Sequence, residues 1–216
     1  MTVSVSTSLR GALRDFYEHS WRLVALNGAL SLCVLAILAA ASFWAPALLL
    51  LLLLGPLAAA MMHCAVLLVR EGELSLRSAA AGIALHWRRG LGLAALSGVV
   101  VLAGLAGVRA YGGASTFTWP LAFVLAYLLG LFCVYQLVLW PLAVAEREVP
   151  LRRVLGDALR TLTGRPGAAL ALALLLLLVN ALGALAALLP LLTLTVAYSF
   201  LASARFALPP QPLPEA

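Results

Sequence analysis

The chain has 216 residues, 64% of them apolar and 10% charged, with a formal charge of +6. Soluble domains average about 45–50% apolar and about 25% charged residues, so a water-exposed globule is excluded. All fourteen basic residues are arginine, yet no polar module is large enough to present a basic face, so no nucleic-acid partner is expected.

Uncharged apolar runs follow one another at Leu23–Trp44, Ala47–Val69, Leu91–Val108, Leu121–Ala145, Ala168–Leu189 and Leu191–Ala204. The 22 residues of the first, at about 1.5 Å each, give about 33 Å against a hydrocarbon core of roughly 30 Å. Only the last run is short. Backbone polar groups in hydrocarbon must be satisfied within the segment, so the runs read as helices. The expected fold is an all-α integral membrane protein of about six transmembrane helices arranged as three hairpins, with amphipathic cytoplasmic interfacial helices. Residues 1–208 form one membrane domain, and the Pro-rich tail 209–216 is an extended polyproline-like coil. Ala39-Ala40-Ala41 could mimic a signal-peptide cleavage site, but the apolar run is too long and leads straight into a second span.

Six passes through a bilayer place Arg10, Arg14, Arg22, Arg70, Arg77, Arg88, Arg89, Arg147, Arg152, Arg153, Arg160, Arg165 and Arg205 on one face and Arg109 on the other. This positive-inside asymmetry predicts a bacterial cytoplasmic (inner) membrane protein with both termini in the cytoplasm. Arg77, Arg88, Arg89, Arg152, Arg153 and Arg160 are the expected interfacial cations, with anionic headgroups of the bilayer as their partner.

Three cytoplasmic segments read as surface helices. Leu151–Thr163 places Leu151, Val154, Leu155, Ala158, Leu159 and Leu162 at spacings of three and four, opposite Arg152, Arg153 and Arg160, with Pro150 and Gly164 as its bounds. Arg153 and Asp157 stand one turn apart, as a pair would. Leu74–Arg89 has Leu76, Ala79, Ala80, Ile83 and Trp87 as its expected buried stripe, and Ser8–Trp21 has Leu9, Leu13 and Phe16. The segments are related. A shift of 75 lays Glu71-Gly72-Glu73-Leu74-Ser75-Leu76-Arg77 over Glu146-Arg147-Glu148-Val149-Pro150-Leu151-Arg152, and a shift of 67 lays Ser8-Leu9-Arg10 over Ser75-Leu76-Arg77 and Arg22 over Arg89. Three units follow, 8–69, 75–145 and 150–208, each a surface segment and a hairpin.

Within the spans, Gly55-Pro56 and Pro141 are expected helix kinks. No Asp or Glu lies in any run, which removes the usual carboxylate relay of a proton-coupled transporter. The intramembrane polar residues are Asn27, His63, Gln136 and Asn180, expected to join helices by hydrogen bonds. Convergence of Asn27, Gln136 and Asn180 would instead make a site for a neutral solute. His63 is expected to lack a membrane-embedded partner, because His19 and His86 fall in surface segments, so no haem-ligating pair arises. Cys33, Cys64 and Cys133 lack metal or disulfide spacing. No catalytic residue, cofactor or metal is expected.

Gly55-Pro56-Leu57-Ala58-Ala59-Ala60, then Arg70-Glu71-Gly72-Glu73, then an amphipathic segment, and later Trp140-Pro141-Leu142 before an Arg-rich helix, together resemble the YesL-like family of bacterial membrane proteins. The resemblance covers most of residues 12–205 and departs from the family pattern at Ala79-Ala80-Ala81, where aromatic residues are usual. It implies a multispan fold, no established enzymatic activity, and an association with carbohydrate-uptake gene neighbourhoods; it transfers no catalytic residue. The function expected is that of a non-enzymatic accessory or assembly subunit, whose partner is another membrane protein or a second copy of the chain. The alternative is a small-solute transporter.

Overall fold

The structure, a computed structural model, describes residues 5–186 and 191–208. The Pro-rich tail 209–216 and the expected end of the fifth run at Leu189 lie outside the described residues. The chain is an all-α integral membrane protein. Its elements are α1 (Val5–Glu18), α2 (Ser20–Phe43), a 3₁₀ segment (Ala45–Leu53) leading into α3 (Leu54–Glu71), α4 (Leu76–Ala114), α5 (Trp119–Ala145), α6 (Leu151–Gly164), α7 (Pro166–Leu185), and a π turn (Leu191–Thr195) entering α8 (Val196–Ala207). Among the described residues, five segments are long and apolar enough to cross a membrane: Ser20–Phe43, Ala45–Glu71, Leu76–Gly113, Thr116–Ala145 and Pro166–Leu185. The sixth run enters α8, which is shorter.

Local chemistry sets the boundaries. Gly72 ends α3 at φ +72°, with its N–H on the Leu68 carbonyl at 3.1 Å, a left-handed conformation that costs glycine little. Ser75 caps α4 by accepting the Ser78 N–H at 3.0 Å. Gly55-Pro56 falls not in mid-helix but in the first turn of α3, where the 3₁₀ segment gives way to α-helix. There Pro56 offers no N–H to the carbonyls of the preceding helical turn, and the expected mid-span kink takes the form of a change of helix type. Pro141 does lie inside α5 and is buried.

The second surface segment differs from expectation most. Leu76–Arg89 is not a separate helix: it runs without interruption into the third span, giving α4 39 residues, about 58 Å at about 1.5 Å per residue. Nothing between Arg89 and Leu91 stops a helix. After α6, by contrast, Pro166 forces Arg165 out of helical geometry, to φ −146°, ψ 55°.

α3 is the central element, packed against α4, α5 and α8, while α1 lies on α8 and α6 on α5. Leu93, Val138, Leu139, Leu172 and Leu201 are fully buried where these helices meet. Leu102, Phe123, Tyr127 and Leu177 are exposed, as side chains facing lipid should be.

Candidate functional site

Close approach of α3 and α4 creates a buried seam that brings two histidines together. A Cβ on Gly90 would lie 2.7 Å from the Gly55 carbonyl oxygen, and one on Gly82 would lie 3.0 Å from the His63 ring. Small residues therefore let the two backbones meet, as in tight transmembrane pairs. Gly55, Ala59 and His63 follow one another at four-residue spacing on α3, and Gly82, His86 and Gly90 do so on α4. Antiparallel packing sets glycine against glycine and histidine against histidine. The ring centroids of His63 and His86 are 5.0 Å apart, with His86 Nε2 and His63 Nδ1 at 3.4 Å.

His86 is buried at 2% exposure, so it does not belong to a surface face, and His63 does have an embedded partner. The stripe buried on this part of α4 is Ala79, Gly82, His86, Gly90 and Leu93, whereas Leu76, Ile83 and Trp87 are exposed. The expected bulky stripe is thus turned outward. Among the described residues, no third His, Cys, Asp or Glu completes a metal-binding group with the pair.

Beside the histidines, Arg89 turns inward. It donates to the carbonyls of Ala143 at 2.9 Å and Glu146 at 2.7 Å, and to that of Val149. These are end carbonyls of α5 and of the turn after it, where helix geometry leaves acceptors open and the helix dipole favours a cation. Arg89 therefore serves as a cap on the end of α5 and its following turn. Arg22 makes the matching contact to the Leu74 carbonyl, in the turn after α3. Arg22 and Arg89 correspond under the 67-residue shift, and Leu74 and Val149 under the 75-residue shift. Arg77, Arg88, Arg152, Arg153 and Arg160 are exposed; Arg88 lies over Trp87 with its guanidinium carbon 5.3 Å from the ring centre. Asp157 pairs with Arg160 at 3.3 Å rather than with Arg153.

The intramembrane amides take separate partners. Gln136 on α5 donates to the Ser97 hydroxyl of α4 at 2.5 Å. Asn180 on α7 donates to Ser199 of α8 at 2.8 Å and to its own helix at Leu176. Asn27 is buried on α2. Gln136 and Asn180 thus hydrogen-bond across different helix pairs, α4–α5 and α7–α8. Asn180 and Ser199 do border a cleft of about 620 Å³, but its other walls are almost wholly apolar.

At the end of the bundle that holds the α3–α4 turn, a polar hollow of about 470 Å³ is bordered by His19, Arg22, Glu71, Glu73, Ser75 and Ser78. Its charges oppose one another, and Arg22 is already engaged by Leu74. Nearby, Asp15 of α1 receives two bonds from Arg205 of α8, at 2.6 and 2.7 Å, a bidentate pair of the strong kind. Gly11 lies directly under that guanidinium, where a Cβ would approach to 2.6 Å. Sequence reading singled out none of the Gly55–Gly90, His63–His86 and Asp15–Arg205 contacts. The four-residue spacing of Gly82, His86 and Gly90 was the available signal for the first two, and only three-dimensional packing could reveal the third.

The chain matches no protein-family model, no curated protein and no solved structure.

Proposed function

We propose that this chain is a non-enzymatic subunit of a membrane complex in the bacterial cytoplasmic membrane, with both termini in the cytoplasm, and that it assists the assembly or action of a partner membrane protein. The YesL-like resemblance extends the reading to a complex linked with carbohydrate uptake. The observation that carries it is the separation of the intramembrane polar groups. Gln136 ties α5 to α4, and Asn180 ties α7 to α8 while also bonding its own helix at Leu176, which is scaffold chemistry. A translocation site needs those groups to converge on a wetted cavity.

The outer half of α4 is the surface offered to a partner. Val99, Leu102 and Leu105 are exposed there, and Gly98 has open space beside it, so a second helix can approach closely. Photo-crosslinking residues at positions 99, 102 and 105, activated in native membranes, are expected to give a protein adduct of a single mass, with no such adduct from exposed Leu177 on α7. Lipid adducts alone from all four positions, together with saturable solute uptake by proteoliposomes of the pure chain, would sink the subunit reading in favour of a transporter.

A further inference from the structure

We infer that the cleft enclosed by α5, α6 and α7 is a binding site for an anionic phospholipid, with acyl chain in the cleft and phosphate at the arginines of α6. The cleft has a volume of about 730 Å³, within the roughly 300–1,000 Å³ of small-ligand sites. Phe132 and Tyr135 of α5, Leu155 and Leu159 of α6, and Pro166 and Leu170 of α7 form its walls. The two hydroxyls on its lining are already committed: Tyr135 donates to the Leu155 carbonyl at 2.8 Å and Thr163 to the Leu159 carbonyl at 3.0 Å. A polar solute would find no free donor there, whereas an acyl chain needs none.

The cleft adjoins the 620 Å³ cleft between α5, α7 and α8, and the two share Leu131, Val134 and Leu170 as a common wall. One lipid can therefore lay two chains along α5. The rim supplies the charge. Arg152 stands three, four and seven residues before Leu155, Gly156 and Leu159, so it flanks the lining face of α6 instead of lying opposite it as the apolar pattern alone suggests. Among the described residues, Arg152 and Arg153 enter no ion pair, and both are exposed. The exposed guanidinium of Arg152 beside this apolar cleft, with Arg153 next to it in the chain, matches a phosphate headgroup in charge and in forked geometry. Gly156 leaves the way open, since a Cβ there would meet nothing within 4 Å.

The purified full chain, in mild detergent with added dioleoyl phosphatidylglycerol or dioleoyl phosphatidylcholine, can be examined by native mass spectrometry. One phosphatidylglycerol should be retained at an occupancy at least fivefold above phosphatidylcholine. Gly156→Trp puts a bulky ring at the cleft, where a Cβ meets nothing within 4 Å, and should lower that occupancy at least fivefold, while Gly92→Trp, at an exposed open position of α4, should leave it unchanged. The double variant Arg152→Gln/Arg153→Gln should reduce phosphatidylglycerol to the phosphatidylcholine level and leave phosphatidylcholine binding as it was. If Gly156→Trp aggregates, Gly156→Leu and the arginine pair carry the same comparison. Equal retention of the two lipids by the wild type, equal retention by wild type and the cleft-filled variants, or a wild-type dimer that Gly156→Trp converts to monomer with no lipid lost, would each overturn the assignment.

Discussion

The segments that follow Leu74 and Val149 both open with Leu-Arg, and in both the preceding carbonyl receives an arginine from an earlier helix. Their ends diverge: Leu76 begins a helix that continues through the next span, and Leu151 begins one that stops at Gly164. Under the 75-residue shift the divergence falls on one position, Leu91 in the first and Pro166 in the second. Proline bars helical geometry in the residue before it, so a single side chain separates a surface helix from its span. What the comparison teaches is that two segments with matching sequence positions can share their anchoring contacts while differing in whether the helix runs on into the next span.

Exchanging those residues should have the largest effect. Leu91→Pro is expected to break α4 and to destabilise the fold by about 3 kcal/mol, measured by titration with sodium dodecyl sulfate. Pro166→Leu should let α6 run on into α7, bringing spin labels at positions 161 and 174 to the roughly 20 Å of a continuous helix; an unchanged label distance would show that packing on α5, not Pro166, sets the break. Gly90→Val comes next, at about 2–3 kcal/mol of overpacking, since the added carbon meets backbone of α3. Gly164→Val, in open space at the end of α6, should stay within about 0.5 kcal/mol. If the two variants behave alike, the close contact of α3 and α4 is not what holds that hairpin.

The matched arginines give a smaller contrast. Arg89→Gln removes bonds to three carbonyls and should cost about 2–3 kcal/mol, whereas Arg22→Gln, losing one carbonyl contact, should cost about 1 kcal/mol. The reverse order would mean that the turn after α5 does not depend on its cap. Asp157→Ala should be smallest, within about 0.5 kcal/mol, because the Arg160 side chain is 85% exposed and solvent-exposed pairs contribute little.

Much of the fold was legible because its signals are local. The apolar runs specify the spans, and Pro150 and Gly164 bound α6 where the helix is found. The burial of α4 was not legible in the same way. In water the bulky apolar stripe of Leu76, Ile83 and Trp87 would turn inward, but hydrocarbon gives those side chains no reason to hide, and glycine permits the closest contact. The face chosen therefore carries Gly82, His86 and Gly90. The cap made by Arg89 was not legible for a related reason: arginine on a helix near a membrane suggests a headgroup, and only the nearby end of α5 shows the carbonyls it reaches. The continuous α4 was missed because a surface helix and a span look like separate elements when charge alone divides them.

The clasp between Asp15 and Arg205 imposes an order of events during synthesis. The partners are separated by 190 positions, and at about 5–20 residues per second the ribosome needs about 10–40 s to reach the second after making the first. Throughout that time Asp15 lacks the Arg205 guanidinium that donates to it, so the contact of α1 with α8 cannot be completed. Docking of α1 thus reports that α8 has been made and positioned. A quality-control protease that recognises an undocked α1 would be reading, from the beginning of the chain, whether the far end had reached its place.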